Sequence, residues 1–485
     1  MRLPFGEYRP DVSDAYGEHS QRIENVFPRG DGYGPVRDLS VFTATLPDAC
    51  RGSFVALDDD ETVAIFAGTV SQLYKLNNST LEWDEVSGED YVLPTYDQWQ
   101  FAQFGSHVLA TQQNVALQVF TLGSSTTFAD VSGSPPRARY ISIVNEFVVL
   151  SGLVTTPYRI QWCARSDITG WTAGVDESDF QDFGDGGTVR GVAGGEFGVV
   201  FQDKAIRRLT YAPGSPLIFT IDRISEEEGL RTAGALIRSG EHVFFLSSSG
   251  FHRITSGGSP IPIGREKFDR TFFEEWDSSK PHLLVGANDP NSTRVMWCYR
   301  SLNSEADGDL FDRILVYDWL LERAAVITEI SGQYICSAAE PGVTLEGLDE
   351  LGLGLEDLPK SLDDYIAQFG IRVSVYGPDN SLGFLTGDNL EAVLETAESG
   401  DGARRAFVRG ARPISDAPSV NIAVSSRQRL GATISWSGAS PMNAVGVCPL
   451  RQDSRYYRFR ATVPAGTDWT YIAGVEPDVM PSGMR

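Results

Sequence analysis

RGSFVALDDDETVAIFAG at 51–68, followed by VSQLYKL at 70–76 and LEWDEVSG at 81–88, is the stretch that decides the fold. Ser53–Leu57, Thr62–Ala67 and Gln72–Leu76 are short β-prone runs separated by DDDE and GT. The apolar period there is two rather than 3.6, which predicts a meander of hairpins. Asp58–Glu61 reads as a polar hairpin tip.

The same sentence structure recurs down the chain. WQFAQFGSHVLATQQ opens at 99, ARYISIVNEFVVLSG at 138, and VRGVAGGEFGVVFQDKAIRRLTY at 189. TAGALIRSGEHVFFLSSSGFHRIT follows at 232, PHLLVGANDPNSTRVMWCYRS at 281, and QYICSAAE at 333, resuming as IRVSVYGPDNSLGFLTG at 371. Each has a Gly- or polar-led strand, a very apolar strand, a third strand, and a weaker fourth. The starts are 39 to 52 residues apart, the period of four-stranded propeller blades. The expectation is an all-β chain with a β-propeller of about seven blades over 46–388; six or eight also fit the spacing. The competing reading is a set of unrelated meanders in sandwiches.

Three segments fall outside the repeat. Residues 1–45 carry LPFGEYRPDV and NVFPRGDGYGPVRDL, too rich in turn formers for long elements, and read as an extended arm lying on its own domain or on a neighbour. Residues 341–367 carry Leu345, Leu348, Leu351, Leu353, Leu355, Leu358 and Leu362 among acidic residues. They predict a short helical insertion, either a lid over the propeller edge or a contact element for a neighbouring subunit. Residues 389–485 hold longer alternating strands and many arginines, among them Arg404, Arg405, Arg409 and Arg412, and read as a β-sandwich-like domain with an arginine-rich interface face.

Of the 485 residues, 40 are Lys or Arg and 65 are Asp or Glu, giving a net charge of −25. A chain that wraps nucleic acid neutralises phosphates with cations, and this one as a whole does not. A saline habitat is the plain alternative cause of such acidity. Cys50, Cys163, Cys298, Cys336 and Cys448 are scattered singly, which fits buried apolar residues rather than zinc ligands or disulfides. No apolar N-terminal run and no stretch of about 18 apolar residues occurs, so neither a signal peptide nor a membrane span is expected.

Little in the sequence suggests catalysis or a cofactor. The five histidines form no HExxH or HxH pair, and no GxSxG, Walker loop or strand-linked GxGxxG appears. Asp176, Asp179 and Asp182 in GVDESDFQDFGDGG are the nearest approach to a metal pattern, and their order does not match a calcium loop. Ser166–Trp171 touches the Asp-box pattern of propeller glycosidases once only, and a glycosidase needs two carboxylates at a set distance. The nine tryptophans sit mostly within strand patterns and read as core rather than sugar platforms. The expected class is therefore non-enzymatic.

Asn25-Val-Phe-Pro28, the turn Gly30–Gly34, Cys50-Arg-Gly52, Leu73-Tyr-Lys75, Ala205-Ile-Arg207, Val243–Gly250, Ile314–Asp318 before an aromatic, and Tyr456–Arg460 occur in this order. The series resembles the tail-hub, or nozzle, proteins of short-tailed phages, also called packaged-DNA stabilisation proteins; the 341–367 insertion departs from that pattern. The resemblance implies a structural virion protein, made in the host cytoplasm and built into the tail. It implies a hexameric ring that extends the portal channel, retains packaged double-stranded DNA and opens for ejection. The implied partners are the portal-adaptor ring protein and a tail fibre or tip protein, with DNA passing an acidic channel without sequence-specific binding. Charge reversal of Arg404, Arg405 and Arg409 together is then expected to weaken the ring. A receptor- or glycan-recognition propeller on a virion surface is the alternative, and a propeller glycoside hydrolase a further one.

Overall fold

The computed structural model describes residues 2–13, 17–58, 62–339, 371–400 and 404–483. The expected helical insertion at 341–367 and most of the hairpin tip at 58–61 lie outside the described residues. The chain is all-β and propeller-like, built of small antiparallel four-stranded meanders. The first comprises Ser53–Leu57, Val63–Gly68, Leu73–Leu76 and Trp83–Glu85. Those that follow open with Gln100–Phe104, Ala138–Val144, Val189–Ala193, Ile237–Ser239, Val285–Asn288 and Tyr334–Ala339.

Local chemistry sets the hairpins. Phe104↔His107, Val144↔Phe147 and Ser239↔His242 are each joined by two residues. The first residue of each turn has positive φ: Gly105 at 59°, Asn145 at 54° and Gly240 at 59°. Glycine and asparagine are the residues that enter this region at least cost. The second strands are the most apolar because both their faces are covered. Every residue of Phe147–Leu153 and of Gly198–Gln202 is buried.

The cores are wedges between consecutive meanders. Phe66 meets Phe120 at 5.2 Å between the first and second, and Phe201 meets Phe245 at 4.9 Å between the fourth and fifth. The last wedge joins Cys336, Ala338, Tyr376 and Phe384 to Ile65, Ala67 and Leu76 of the first meander, so the series returns on itself. Each fully buried Phe or Leu in such a wedge contributes about 1.5–3 kcal/mol. All five cysteines are buried and unpaired. Burial pushes the Cys163 and Cys336 thiols up to about 11.

Strands of the N-terminal segment pair with sheets of this same chain. Ser40–Thr45 pairs with Ser381–Phe384 and supplies the fourth strand of the last meander. Ile23–Glu24 pairs in parallel with Arg323–Ile327 through Glu24↔Val326, and antiparallel with Ala392–Glu395 through Ile23↔Leu394. One sheet of eleven strands thereby runs from the meander at 285–327 into the C-terminal region. A second sheet joins Val26–Arg29 and Gly32–Pro35 to Ile472–Gly483, Arg405–Ser415 and Cys448–Ser454. The two sheets share a core that includes Val408, Val424, Phe459 and Val475. These N-terminal strands are two to six residues long, too short for alternation to show in a Gly/Pro-rich stretch.

Asn25 pins this junction. It is 1% exposed, has φ of 57°, donates through Nδ2 to the Glu391 carbonyl at 2.9 Å, and accepts from the Thr328 amide at 2.8 Å. Asn25→Leu leaves both backbone groups without partners, so the variant is expected to lose about 2–4 kcal/mol of stability. Chemical denaturation with two spectroscopic probes measures the loss; an unchanged midpoint contradicts this role for Asn25.

Candidate functional site

In each repeat the residues just before or at the start of the first strand are polar, and several are cationic: Arg51, Gln98, Arg139, Arg190, Arg231 and Lys280. First strands pack against one another, Gln100–Phe104 between Ser53–Leu57 and Ala138–Val144, and Tyr334–Ala339 between Val285–Asn288 and Ser53–Leu57. Their leading ends gather around a cavity of about 210 Å³ lined by Asp97, Gln98, Gln113, Arg139, Tyr140, Arg190, Arg231 and His282.

Arg139 donates from Nε to Gln113 Oε1 at 2.8 Å, and its Nε lies 3.9 Å from Asp97 Oδ2. Burial raises the Asp97 carboxyl against the opposing pull of Arg139. Asp97 Oδ2 has no hydrogen-bond partner. Arg190 donates from Nε to Asp203 Oδ1 at 2.6 Å. Burial works to raise the Asp203 carboxyl, but hydrogen bonds from Thr188 and Arg190 hold it below its ordinary range. The Arg231 guanidinium lies 5.0 Å from the centre of the Trp276 ring and 5.2 Å from that of Phe273, a cation–π contact.

His282 closes the other side. It is 5% exposed and stacks on Tyr96 with ring centres 5.0 Å apart. Its Nε2 is 3.5 Å from Asp309 Oδ2, and neither ring nitrogen makes a hydrogen bond. Burial, aided by the Arg51 charge, pushes its pKa down to about 4. The imidazole is therefore neutral near pH 7, one nitrogen donating and one accepting. Asp309 is itself paired with Lys280, and with Arg51 at 3.6 Å. Of the charged side chains that line the cavity, Arg139, Arg190 and Arg231 are cationic and Asp97 is anionic, an excess of cations in a chain of net charge −25. Asp97 is the only carboxylate lining the cavity among the described residues, whereas glycoside hydrolysis takes two.

The residues singled out by sequence do not join this site. Asp176 lies in a tight turn with φ of 49°, Asp179 accepts from the Phe180 amide at 2.9 Å, and Asp182 is clamped by Arg159 at 2.5 and 2.8 Å. Among the described residues no three His, Cys, Asp or Glu side chains come together to hold a metal. Arg405 pairs with Asp453 at 3.3 Å and Arg409 with Asp478 at 2.9 Å, within the chain. Arg404 and Arg412 are exposed on or beside the same strand. Other arginines of the C-terminal region turn inward: Arg458 and Arg460 both bond Glu395, at 3.2 and 2.7 Å, and Arg427 bonds Glu398. Six of the nine tryptophans, including Trp99 and Trp297, are buried and serve as core. No helix among the described residues is long and apolar enough to cross a membrane.

No protein-family model and no curated protein matches the sequence. Among solved structures, the extracellular domain of a hybrid two-component system of B. thetaiotaomicron is similar over 77% of this chain, with 9% identity and a TM-score of 0.42. The chain spans 41% of that domain's length. The computationally designed Ika8 protein is similar over 72% of this chain and 98% of its own, with 9% identity and a TM-score of 0.37. Neither likeness bears on what the chain does.

The depressed His282 pKa gives a test. Unfolding restores the ordinary value of 6.5, so the unfolded chain binds the extra proton between pH 6.5 and about 4. The His282 contribution is present above pH 6.5 and is lost as pH falls through that window. Asp269 slopes the other way: burial raises its carboxyl to about 7, so its contribution is present at low pH and is lost as pH rises from about 4 to 7. The two offset in the native chain. His282→Gln is expected to remove the acid-side loss and leave stability falling as pH rises from 4 to 7, measured by denaturant midpoints across that range. Parallel curves for the native chain and the variant contradict the assignment.

Proposed function

We propose that this chain is a structural virion protein, a subunit of a phage tail-hub or nozzle ring whose body is a seven-bladed β-propeller carrying a β-sandwich. What carries the reading is where the motifs of the resemblance fall. Asn25-Val-Phe-Pro28 lies at the seam between the propeller-like part and the C-terminal sheets, with Asn25 bonded to both. Cys50-Arg-Gly52 opens the first meander, with Cys50 in the closing wedge and its amide bonded to Gln333 at 2.8 Å. Tyr456–Arg460 is part of the long C-terminal strand whose Arg458 and Arg460 hold Glu395. Motifs that occupy joints, with no catalytic grouping attached to them, suit a protein whose work is to hold a shape.

The cavity at the leading ends of the first strands, of about 210 Å³, has room for roughly seven waters and not for a duplex. DNA would run between copies, through the lumen of a ring. Six copies at −25 each carry −150 in total, and a lumen of that sign repels phosphate so that DNA slides without sticking. The neighbours of the ring would be the portal adaptor on one side and a tail fibre or tip on the other.

Electron microscopy with light scattering on the purified chain tests this. Six-fold rings with a central hole, alone or on addition of the adaptor, are the expected result. A monomer of 53.0 kDa that stays monomeric with the adaptor rejects it and favours a recognition propeller, a reading for which the polar cavity is the supporting observation. Arg409→Glu places like charge against Asp478, and Arg412→Glu places it against Glu476, directly opposite on the paired strand, so the neutral Arg412→Gln is the better probe. It is expected to lower ring yield severalfold without moving the unfolding midpoint by more than about 0.5 kcal/mol.

A further inference from the structure

The cavity is furnished beyond the needs of packing. Asp97 Oδ2 and both nitrogens of His282 are buried polar atoms without hydrogen bonds, on the wall of one cavity. Buried polar groups left in this state cost stability unless something satisfies them. His282 is more than nine-tenths buried, lines the cavity and stacks on Tyr96, with its Nε2 3.5 Å from Asp309 behind the lining. Across from it stand Arg139 and Arg190, each engaged through Nε, to Gln113 and to Asp203. Neither guanidinium meets a carboxylate through its two-pronged edge, the geometry that seats carboxylates best. Arg139, Arg190 and Tyr140 line the same cavity.

A plain anion would satisfy the guanidiniums but face the Asp97 carboxylate. A plain cation would suit Asp97 and be repelled by the arginines. The arrangement calls for both features in one small molecule. We infer that the cavity binds a small carboxylate that carries a neighbouring hydroxyl or amino donor, with Arg139 and Arg190 receiving the carboxylate and Asp97 and His282 receiving the donor end. A volume of about 210 Å³ limits such a ligand to on the order of ten non-hydrogen atoms. The proposal is independent of the tail-hub reading, because the cavity lies within one copy of the chain and is complete there.

L-Malate is a suitable probe and succinate, which lacks only the hydroxyl, its control. Thermal unfolding of the full chain is followed at about 10 mM of each against sodium chloride of equal ionic strength. Malate is expected to raise the midpoint by about 2 °C and succinate by less than half as much. Arg139→Gln and Arg190→Gln are each expected to abolish the difference. A second measurement reads ligand binding on the native chain itself. In the native chain labelled with ¹³C-histidine, malate should move one of the five histidine ring signals, the one missing in His282→Gln. Malate that acts no differently from chloride and moves no histidine signal overturns the proposal, and so does equal stabilisation by malate and succinate.

Discussion

Ring closure by Ser40–Thr45 is the interaction on which the rest depends. A row of meanders that stops short of itself has two bare edges and one half-covered wedge, and bare edges invite pairing with other chains. Pairing Ser381 with Thr45 and Phe384 with Ser40 removes one edge, and packing Tyr376 against Trp83 at 6.1 Å covers the wedge. The entropic cost of joining segments so far apart in sequence grows only with the logarithm of the separation, whereas the wedge it completes is as apolar as any of the others. The cavity is downstream of this event, because its walls come from meanders held at fixed spacing only in a closed ring.

Much of this architecture was legible in the sequence, for a physical reason. VAIFAG, VVLSG, GVVFQ and VFFL stand out because second strands are covered on both faces, and the turns between them require Gly or Asn. The repeat starts expected from sequence fall close to the first strands at Ser53, Gln100, Ala138, Val189 and Tyr334. The contributions of residues 1–45 were not legible. A two-residue strand such as Ile23–Glu24 has no period, and its partners, Val326 and Leu394, are some 300 residues or more away.

The arginines show what spacing alone leaves open. Their density after residue 389 reads as a surface for a partner, but a sequence does not say where the carboxylates are. Glu395, Glu398, Asp453 and Asp478 take up Arg458, Arg460, Arg427, Arg405 and Arg409 within the chain. The cavity was missed because its residues are spread from Asp97 to His282. A signal did exist. Arg51, Arg139, Arg190 and Arg231 stand near the openings of the first, third, fourth and fifth repeats, and a ring turns like places in a repeat into neighbours in space.

The closing strand also bears on how the chain is made. Ser40–Thr45 leaves the ribosome early, and its partner at Ser381–Phe384 comes some 340 residues later. At about 5–20 residues per second, that is a wait of roughly 20–70 s. For that time SVFTAT is an unpartnered β-prone strand in a crowded cell. The first meander meanwhile has one neighbour instead of two, and its flank with Ile65, Ala67 and Tyr74 faces water. The chain thus completes its ring only some 340 residues after Ser40–Thr45 is made, and its yield will depend on how well that segment is shielded from other copies of itself.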